Sequence, residues 1–356
     1  MKSSVGEPRL LDVRPWDSLY AERLLGALPN EIIDVHTHVW LSGFEKPGCG
    51  SLSRGPDWPA RVAAENSIED LLETYRLLFP GKRVTPVVFG NPEAKYDVDM
   101  SNRYARKCSA MYGVPSLLLT MPEWSGERVE NEIREGGHMG CKVYLNYAPP
   151  HIRAEDITIF DYLPRHQLEV LDRNEWVAML HIPRPGRLKD AVNLAQMIEI
   201  EQRYPGVKLI IAHVGRAYCP EDVGDAFGKL ATTSNMMFDF SANTNQTVFE
   251  KLIVAVGPKR ILFGSDLPIT RMRMRRICEN GNYVNLVPSG LYGDVSSDRH
   301  MREADPECAD TLTFFLYEQI NAFLRASERL GLSAADIEDI FYRNAARLFG
   351  LSGGKP

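Results

Sequence analysis

In the stretch Ile32-Ile33-Asp34-Val35-His36-Thr37-His38, two histidines stand two places apart at the end of an apolar run. Residues i and i+2 of an extended chain share a face, so the imidazoles of His36 and His38 converge on one point. Neutral imidazoles that converge suit a divalent metal ion. Later apolar runs carry further residues of ligand or acid–base type at or near their ends: Lys142, His181, His213 and Asp266. The chain holds eight histidines, and four of them fall at such ends, a concentration that scatter does not explain. An ion with three protein ligands keeps one position open and lowers the pKa of its water to about 7. Asp266 could then take the water's proton and pass it to a leaving group, while His213 stabilises charge on a carbonyl or phosphoryl oxygen.

The elements that must position these residues alternate in type. Short β-branched runs predict strands at Ile32 to Val35, Val84 to Phe89, Val114 to Thr120, Cys141 to Tyr147, Trp176 to His181, Val207 to His213, Asn235 to Phe240 and Arg260 to Gly264. Helical spacing lies between them, at Ser67 to Phe79, Asp99 to Met111, Glu127 to Glu135, Arg187 to Tyr204, Pro220 to Leu230 and Gln246 to Val256. Strands that alternate with helices predict an α/β fold with a parallel sheet, and eight such units close into a (β/α)₈ barrel. Insertions follow strand 1 (Gly43 to Pro59) and strand 8 (Pro268 to Pro306) and would rise at the mouth, where barrel enzymes carry specificity. Two C-terminal helices, Glu307 to Leu330 and Ser333 to Phe349, could cover the barrel or build a homo-oligomer. With no repeat or linker in view, residues 1–356 read as a single domain.

Composition narrows the chemistry. Forty-one Lys+Arg against 47 Asp+Glu leave a net charge of -6, which disfavours nucleic acid and anionic membranes as partners and favours a small-molecule substrate. No stretch approaches a membrane span and the first 30 residues lack an apolar secretory core. Six scattered cysteines without a CxxC pair predict a reduced, cytoplasmic protein. The cluster Arg271, Arg273, Arg275 and Arg276 directly after Asp266 could clamp a substrate carboxylate, with Arg271 and Arg273 expected at the substrate. Tyr144 is expected to line the same pocket. Asn146, Tyr147, Arg184 and Arg216 also lie near strand ends, and nothing in the sequence ranks them.

Taken together, Asp34-Val35-His36-Thr37-His38, Gly140-Cys141-Lys142-Val143-Tyr144, His181, Ile211-Ala212-His213-Val214-Gly215 and Leu262-Phe263-Gly264-Ser265-Asp266 resemble the metal-dependent amidohydrolase superfamily. The closing Arg343-Asn344-Ala345-Ala346-Arg347-Leu348-Phe349-Gly350 is similar to its branch of hydrolases and nonoxidative decarboxylases. The resemblance implies a TIM barrel with zinc or another divalent metal, one ion or two. It makes His36, His38, His181 and Asp266 ligands, and His213 either a ligand of a second metal or the group that polarises the substrate and activates water. Lys142 would bridge two ions as a CO₂ adduct, which requires a free amine and so a lowered pKa. An unmodified Lys142 could equally snorkel or pair with an acid. The implied reaction is metal-assisted hydrolysis of an amide, ester or lactone in a small anionic molecule. Nonoxidative decarboxylation of a small carboxylic acid is the alternative, and a barrel that only binds is a third.

Overall fold

A computed structural model describes residues 11–47, 54 and 58–351. Eight parallel strands form the frame: β1 (Glu31–His38), β2 (Arg83–Phe89), β3 (Leu118–Leu119), β4 (Gly140–Val143), β5 (Val177–Leu180), β6 (Lys208–Ile211), β7 (Met237–Asp239) and β8 (Ile261–Leu262). β1 pairs with β2, and β3 to β8 form one sheet in chain order. Parallel bridges from Val88 to Ser116 and from Thr37 to Leu267 close the two pieces into a barrel. Helices between the strands cover the outside, as the alternation predicts. The helix Ile68–Leu78 begins where expected, with the Ser67 hydroxyl accepting from the Asp70 amide.

Inside the barrel, Ile33, Val35, Phe89, Leu117, Met179, Ile210 and Leu262 pack into one cluster. Ala345 and Phe349 join this cluster from below. The C-terminal segment therefore closes the barrel floor, and the chemistry lies at the opposite, C-terminal end of the strands. The pairing of β1 slips between Asp34 and Thr37. Such an irregularity re-aims side chains. It lets His36 and His38 face inward after Ile33 and Val35 have done so.

Three expectations about elements change. The run Cys141 to Tyr147 is a strand only to Val143, after which Leu145–Tyr147 turns as a 3₁₀ helix. The expected helix Glu307 to Leu330 is broken: Pro306–Ala309 is a short turn of helix, Thr313–Phe314 is a strand, and the long helix is Phe315–Arg329. The insertion after β8 is a small antiparallel sheet of β9 (Arg273–Glu279), β10 (Asn282–Val287), β11 (Met301–Glu303) and β12 (Thr313–Phe314), in which β11 alone runs parallel to its neighbour. Its tight turn is Asn280-Gly281, both with positive φ, the geometry Asn-Gly favours in hairpins. Of the insertion after strand 1, residues 48–53 and 55–57 lie outside the described residues.

The cysteine expectation is also corrected. Cys219 and Cys278, 59 residues apart in the chain, form a disulfide with Cα atoms 5.8 Å apart. Spacing along a chain carries no information about a pair joined by tertiary folding. Among the described residues, no helix is long and apolar enough to cross a membrane.

Candidate active site

A cavity of about 710 Å³ opens at the C-terminal end of the strands, with His36, His38, Lys142, His181, His213 and Asp266 among its lining residues. All six are buried. Three of the histidines are anchored in the same way. His36 Nδ1 donates to Asp239 Oδ2 at 3.0 Å, His38 Nδ1 to the Gly90 carbonyl at 3.1 Å, and His213 Nδ1 to the Ser241 carbonyl at 3.1 Å. A proton held on Nδ1 leaves the Nε2 lone pair for an electrophile. Nε2 of His38 lies 3.2 Å from Asp266 Oδ1, and Nε2 of His36 lies 3.5 Å from it. The ligand atoms of His36, His38 and Asp266 all fall within 4.8 Å of one another, close enough for one ion. His181 adds a buried Nδ1 with no hydrogen-bond partner. An orphaned buried nitrogen beside this cluster fits a metal ligand, because such an atom otherwise forfeits its hydration for nothing.

The backbone is bent to achieve this. Asp266 has φ of 63° and His213 of 56°, a left-handed conformation costly for residues with a Cβ. The Asp266 amide donates to the His36 carbonyl at 2.8 Å, tying the β8 end to β1. Gly264 makes that approach feasible, since a Cβ there would sit 2.8 Å from the His36 Cβ.

Charge follows from burial and neighbours. Burial pushes His36 down to about 3, with Lys142 adding to the effect, and it likewise lowers His181 and His213. The lowered values favour the neutral imidazole at His36, His181 and His213, the form that a ligand needs. Burial alone would raise Asp266, yet attraction to a proton on His213, the contact with His38 and attraction to a proton on His36 hold it below the ordinary carboxylate range. Lys142 is fully buried, its Nζ 3.3 Å from His36 Nε2, and burial lowers it to about 8. Tyr144 stands against the site, its ring centroid 4.4 Å from that of His181.

Arg271 and Arg273 are not where they were expected. Arg271 donates to Asn66 Oδ1 and the Asp70 carbonyl, while Arg273 forms a two-pronged pair with Asp17, Nη1 at 2.9 Å and Nη2 at 2.6 Å. Neither lines the cavity. Strand alternation is the reason for Arg273: β9 sends Arg273 and Arg275 to one face and Arg276 to the other. Arg276 is the member of the cluster that reaches the cavity, joined there by Arg216. Arg276 donates to Asn285 Oδ1 and the Ala242 carbonyl, and Arg216 to the carbonyls of Ile182 and Pro183. Neither has an acidic partner within 4 Å among the described residues.

Sequence reasoning missed Asp239, Ser241 and Asp34. Asp239 receives the His36 ring and the backbone amides of His213 and Ser241. Asp34, raised by burial to about 7, accepts from Tyr75 and from the His36 and Ser265 amides. A signal for Asp239 was present, since it stands one place before the end of the seventh predicted strand, Asn235 to Phe240, and is the last residue of the observed β7. Away from the site, His138, in the turn before β4, is buried against Ser116.

Comparison with known proteins supplies the family. Residues 33–351 match the family model Amidohydro_2, amidohydrolase. The chain belongs to the amidohydrolase superfamily. Among solved structures, a probable 2-pyrone-4,6-dicarboxylic acid hydrolase from Acinetobacter baumannii, with citric acid bound, aligns at 14% identity and TM-score 0.54, covering 91% of this chain and 100% of that one. A 5-carboxyvanillate decarboxylase from Sphingomonas paucimobilis aligns at 11% identity and TM-score 0.58, covering 91% and 100%. An amidohydrolase from Burkholderia multivorans with bound zinc aligns at 14% identity and TM-score 0.53, covering 90% and 99%. At these identities the likeness speaks for the fold, the TIM barrel of this superfamily. No curated protein matches the sequence.

Proposed function

We propose that this amidohydrolase hydrolyses an ester, lactone or amide bond in a small anionic molecule. The observation that carries the reading is the convergence of His36 Nε2, His38 Nε2 and the Asp266 carboxylate at the base of the cavity. A divalent ion, zinc by choice of donors, would be held there by His36, His38, His181 and Asp266 and would supply Lewis acidity and an acidified water. The ionised Asp266 is the general base: it accepts a proton from the attacking water and delivers it to the leaving group. His213, fixed through Nδ1, turns Nε2 toward the substrate and steadies charge that develops on the carbonyl oxygen. Arg216 and Arg276, with no acidic partner within 4 Å among the described residues, orient a carboxylate of the substrate. Lys142 sits too close to His36 to remain a bare cation beside an ion, because like charges repel strongly in a buried site. Beside a bound ion its amine would be neutral or would carry CO₂, and the carboxylated form would supply a ligand for a second ion.

The test offers metal-loaded protein two probes, 2-pyrone-4,6-dicarboxylate and 5-carboxyvanillate. Opening of the pyrone ring, lost on chelation and slowed about 10³-fold by Asp266→Asn, is the expected result. Release of CO₂ from carboxyvanillate with the pyrone untouched would replace hydrolysis by decarboxylation. If His36→Ala retains the full complement of bound metal, the metal-site assignment is wrong. Metal analysis separates one ion from two, and the intact mass shows whether Lys142 carries CO₂.

A further inference from the structure

Two separate segments, the loop after β6 and the β9–β10 hairpin, meet in one wall of the cavity. Tyr218 belongs to the first, Arg276 and Tyr283 to the second, and all three line the cavity. The Arg276 guanidinium carbon lies 4.9 Å from the Tyr218 ring centroid and 4.4 Å from that of Tyr283. The two tyrosine rings meet edge to face at 5.0 Å. Directly beside this contact the Cys219–Cys278 disulfide joins the same two segments. Cys219 follows Tyr218. Cys278 lies two residues beyond Arg276 and so on the same face of β9, and it pairs across the hairpin with Tyr283. Cys219 is fully buried, whereas Cys278 is exposed at the hairpin end.

We propose that the Cys219–Cys278 disulfide is a positioning device that holds Arg276 and Tyr283 against Tyr218, and that its reduction by a dithiol loosens the anion-binding wall of the site. The inference rests on the reading of Arg276 as a substrate anchor. β12 pairs with β9 only at Arg273 and Met274, and β11 with β10 only from Asn285 on. The hairpin end beyond Arg276 is therefore a two-stranded ribbon with no further strand beside it among the described residues, and such ribbons are marginal by themselves. The bridge is the one covalent link from this hairpin to the barrel among the described residues. The exchange is chemically direct. A thiolate of the dithiol attacks the exposed Cys278 sulfur, Cys219 leaves as a thiolate and takes a proton, and the second thiol of the reagent displaces Cys278. The protein disulfide gains two electrons and two protons, and the dithiol ends as a cyclic disulfide.

The experiment uses the full-length, metal-loaded protein before and after dithiothreitol, with isophthalate, a planar dianion, as the binding probe. Non-reducing peptide mapping should recover a Cys219–Cys278 cross-link that dithiothreitol removes under native conditions. Hydrogen exchange should then quicken in residues 217–222 and 273–287 and nowhere else. The isophthalate Kd should rise about tenfold, the size of one lost charge-assisted contact. With a turned-over substrate, KM should rise while kcat holds. Cys278→Ser should reproduce the reduced state and abolish the response to dithiothreitol. Its effect should vanish in an Arg276→Met background, because both changes act through one side chain. Absence of the cross-link, equal exchange, or equal Kd in the two redox states overturns the proposal. A Cys278→Ser protein that still responds to dithiothreitol overturns it as well. Failure of isophthalate to bind the oxidised protein would instead sink the anionic-substrate reading, while the exchange measurement would still judge the tether.

Discussion

Each ligand-type side chain in this protein is controlled by the atom it turns away from the cavity. Asp239, the Gly90 carbonyl and the Ser241 carbonyl hold Nδ1 of His36, His38 and His213, so three Nε2 atoms are presented inward. Asp239→Asn should therefore lower metal affinity about 10- to 100-fold, although Asp239 is no part of the ligand trio His36, His38 and Asp266, and metal titration would measure it. A buried histidine outside the site, His138, contributes to acid stability. Burial, helped by the charge of Arg106, lowers His138 to about 4 from an ordinary 6.5. A depressed value means that the unfolded chain binds the proton more readily, so stability is full above pH 6.5 and is lost as the pH falls toward 4. The loss attributable to this residue is about 3 kcal/mol. Urea denaturation of the wild type and of His138→Gln between these pH values should show the variant's midpoint falling less.

Among the elements, the insertion after β8 has two faces with separate duties. One face of β9 carries Arg273 into the Asp17 carboxylate, which also accepts from Thr313 Oγ1 at 2.6 Å. This network is buried and clamps the helix Pro15–Leu25 to β9 and β12. Asp17→Ala would leave the buried guanidinium with only the Leu312 and Asp12 carbonyls and no counter-charge, and should cost about 3–5 kcal/mol. Arg273→Met should likewise destabilise the fold in denaturant titrations and leave KM unchanged. The opposite face carries Arg276. Arg276→Met, which removes no ion pair, should lower the unfolding midpoint far less than Arg273→Met and raise KM about tenfold or more. Opposite outcomes for two arginines three places apart would separate a structural from a substrate role.

For the whole molecule, closure of the barrel is what brings distant strands to one point. β1 and β8 are joined through Val35 to Phe263, Asp266 to His36 and His38 to Leu267. Aromatic packing from Phe240, Phe263, Phe323 and Phe341 braces the same seam from outside, with Phe240 stacked on Phe323 at 4.0 Å. An ion bound by β1, β5 and β8 would add a further cross-strand link that exists only in the folded state. At a thousandfold excess over its Kd this is worth about 4 kcal/mol. Chelation should thus lower Tm by several degrees, and zinc should restore it, in calorimetric scans at fixed protein concentration.

Much of this was legible from the order of residues. Strand and helix periods report local packing, so the eight strands, the capped helix at Ser67 and the barrel class could be read directly. Strand-end chemistry placed His36, His38, Lys142, His181, His213, Asp266 and Tyr144 around one cavity, because in a barrel every strand end faces the same mouth. The Asn280-Gly281 turn was written in plain terms and would have revealed the hairpin, and with it the alternation that sends Arg273 inward to Asp17 and Arg276 to the site. Other features had no local signal. The partner of His36 at Asp239, the Cys219–Cys278 bridge and the Arg273–Asp17 pair join residues 203, 59 and 256 places apart. Such pairings depend on how strands and loops meet in space, and periodicity records only the face a residue takes, never the neighbour it finds there.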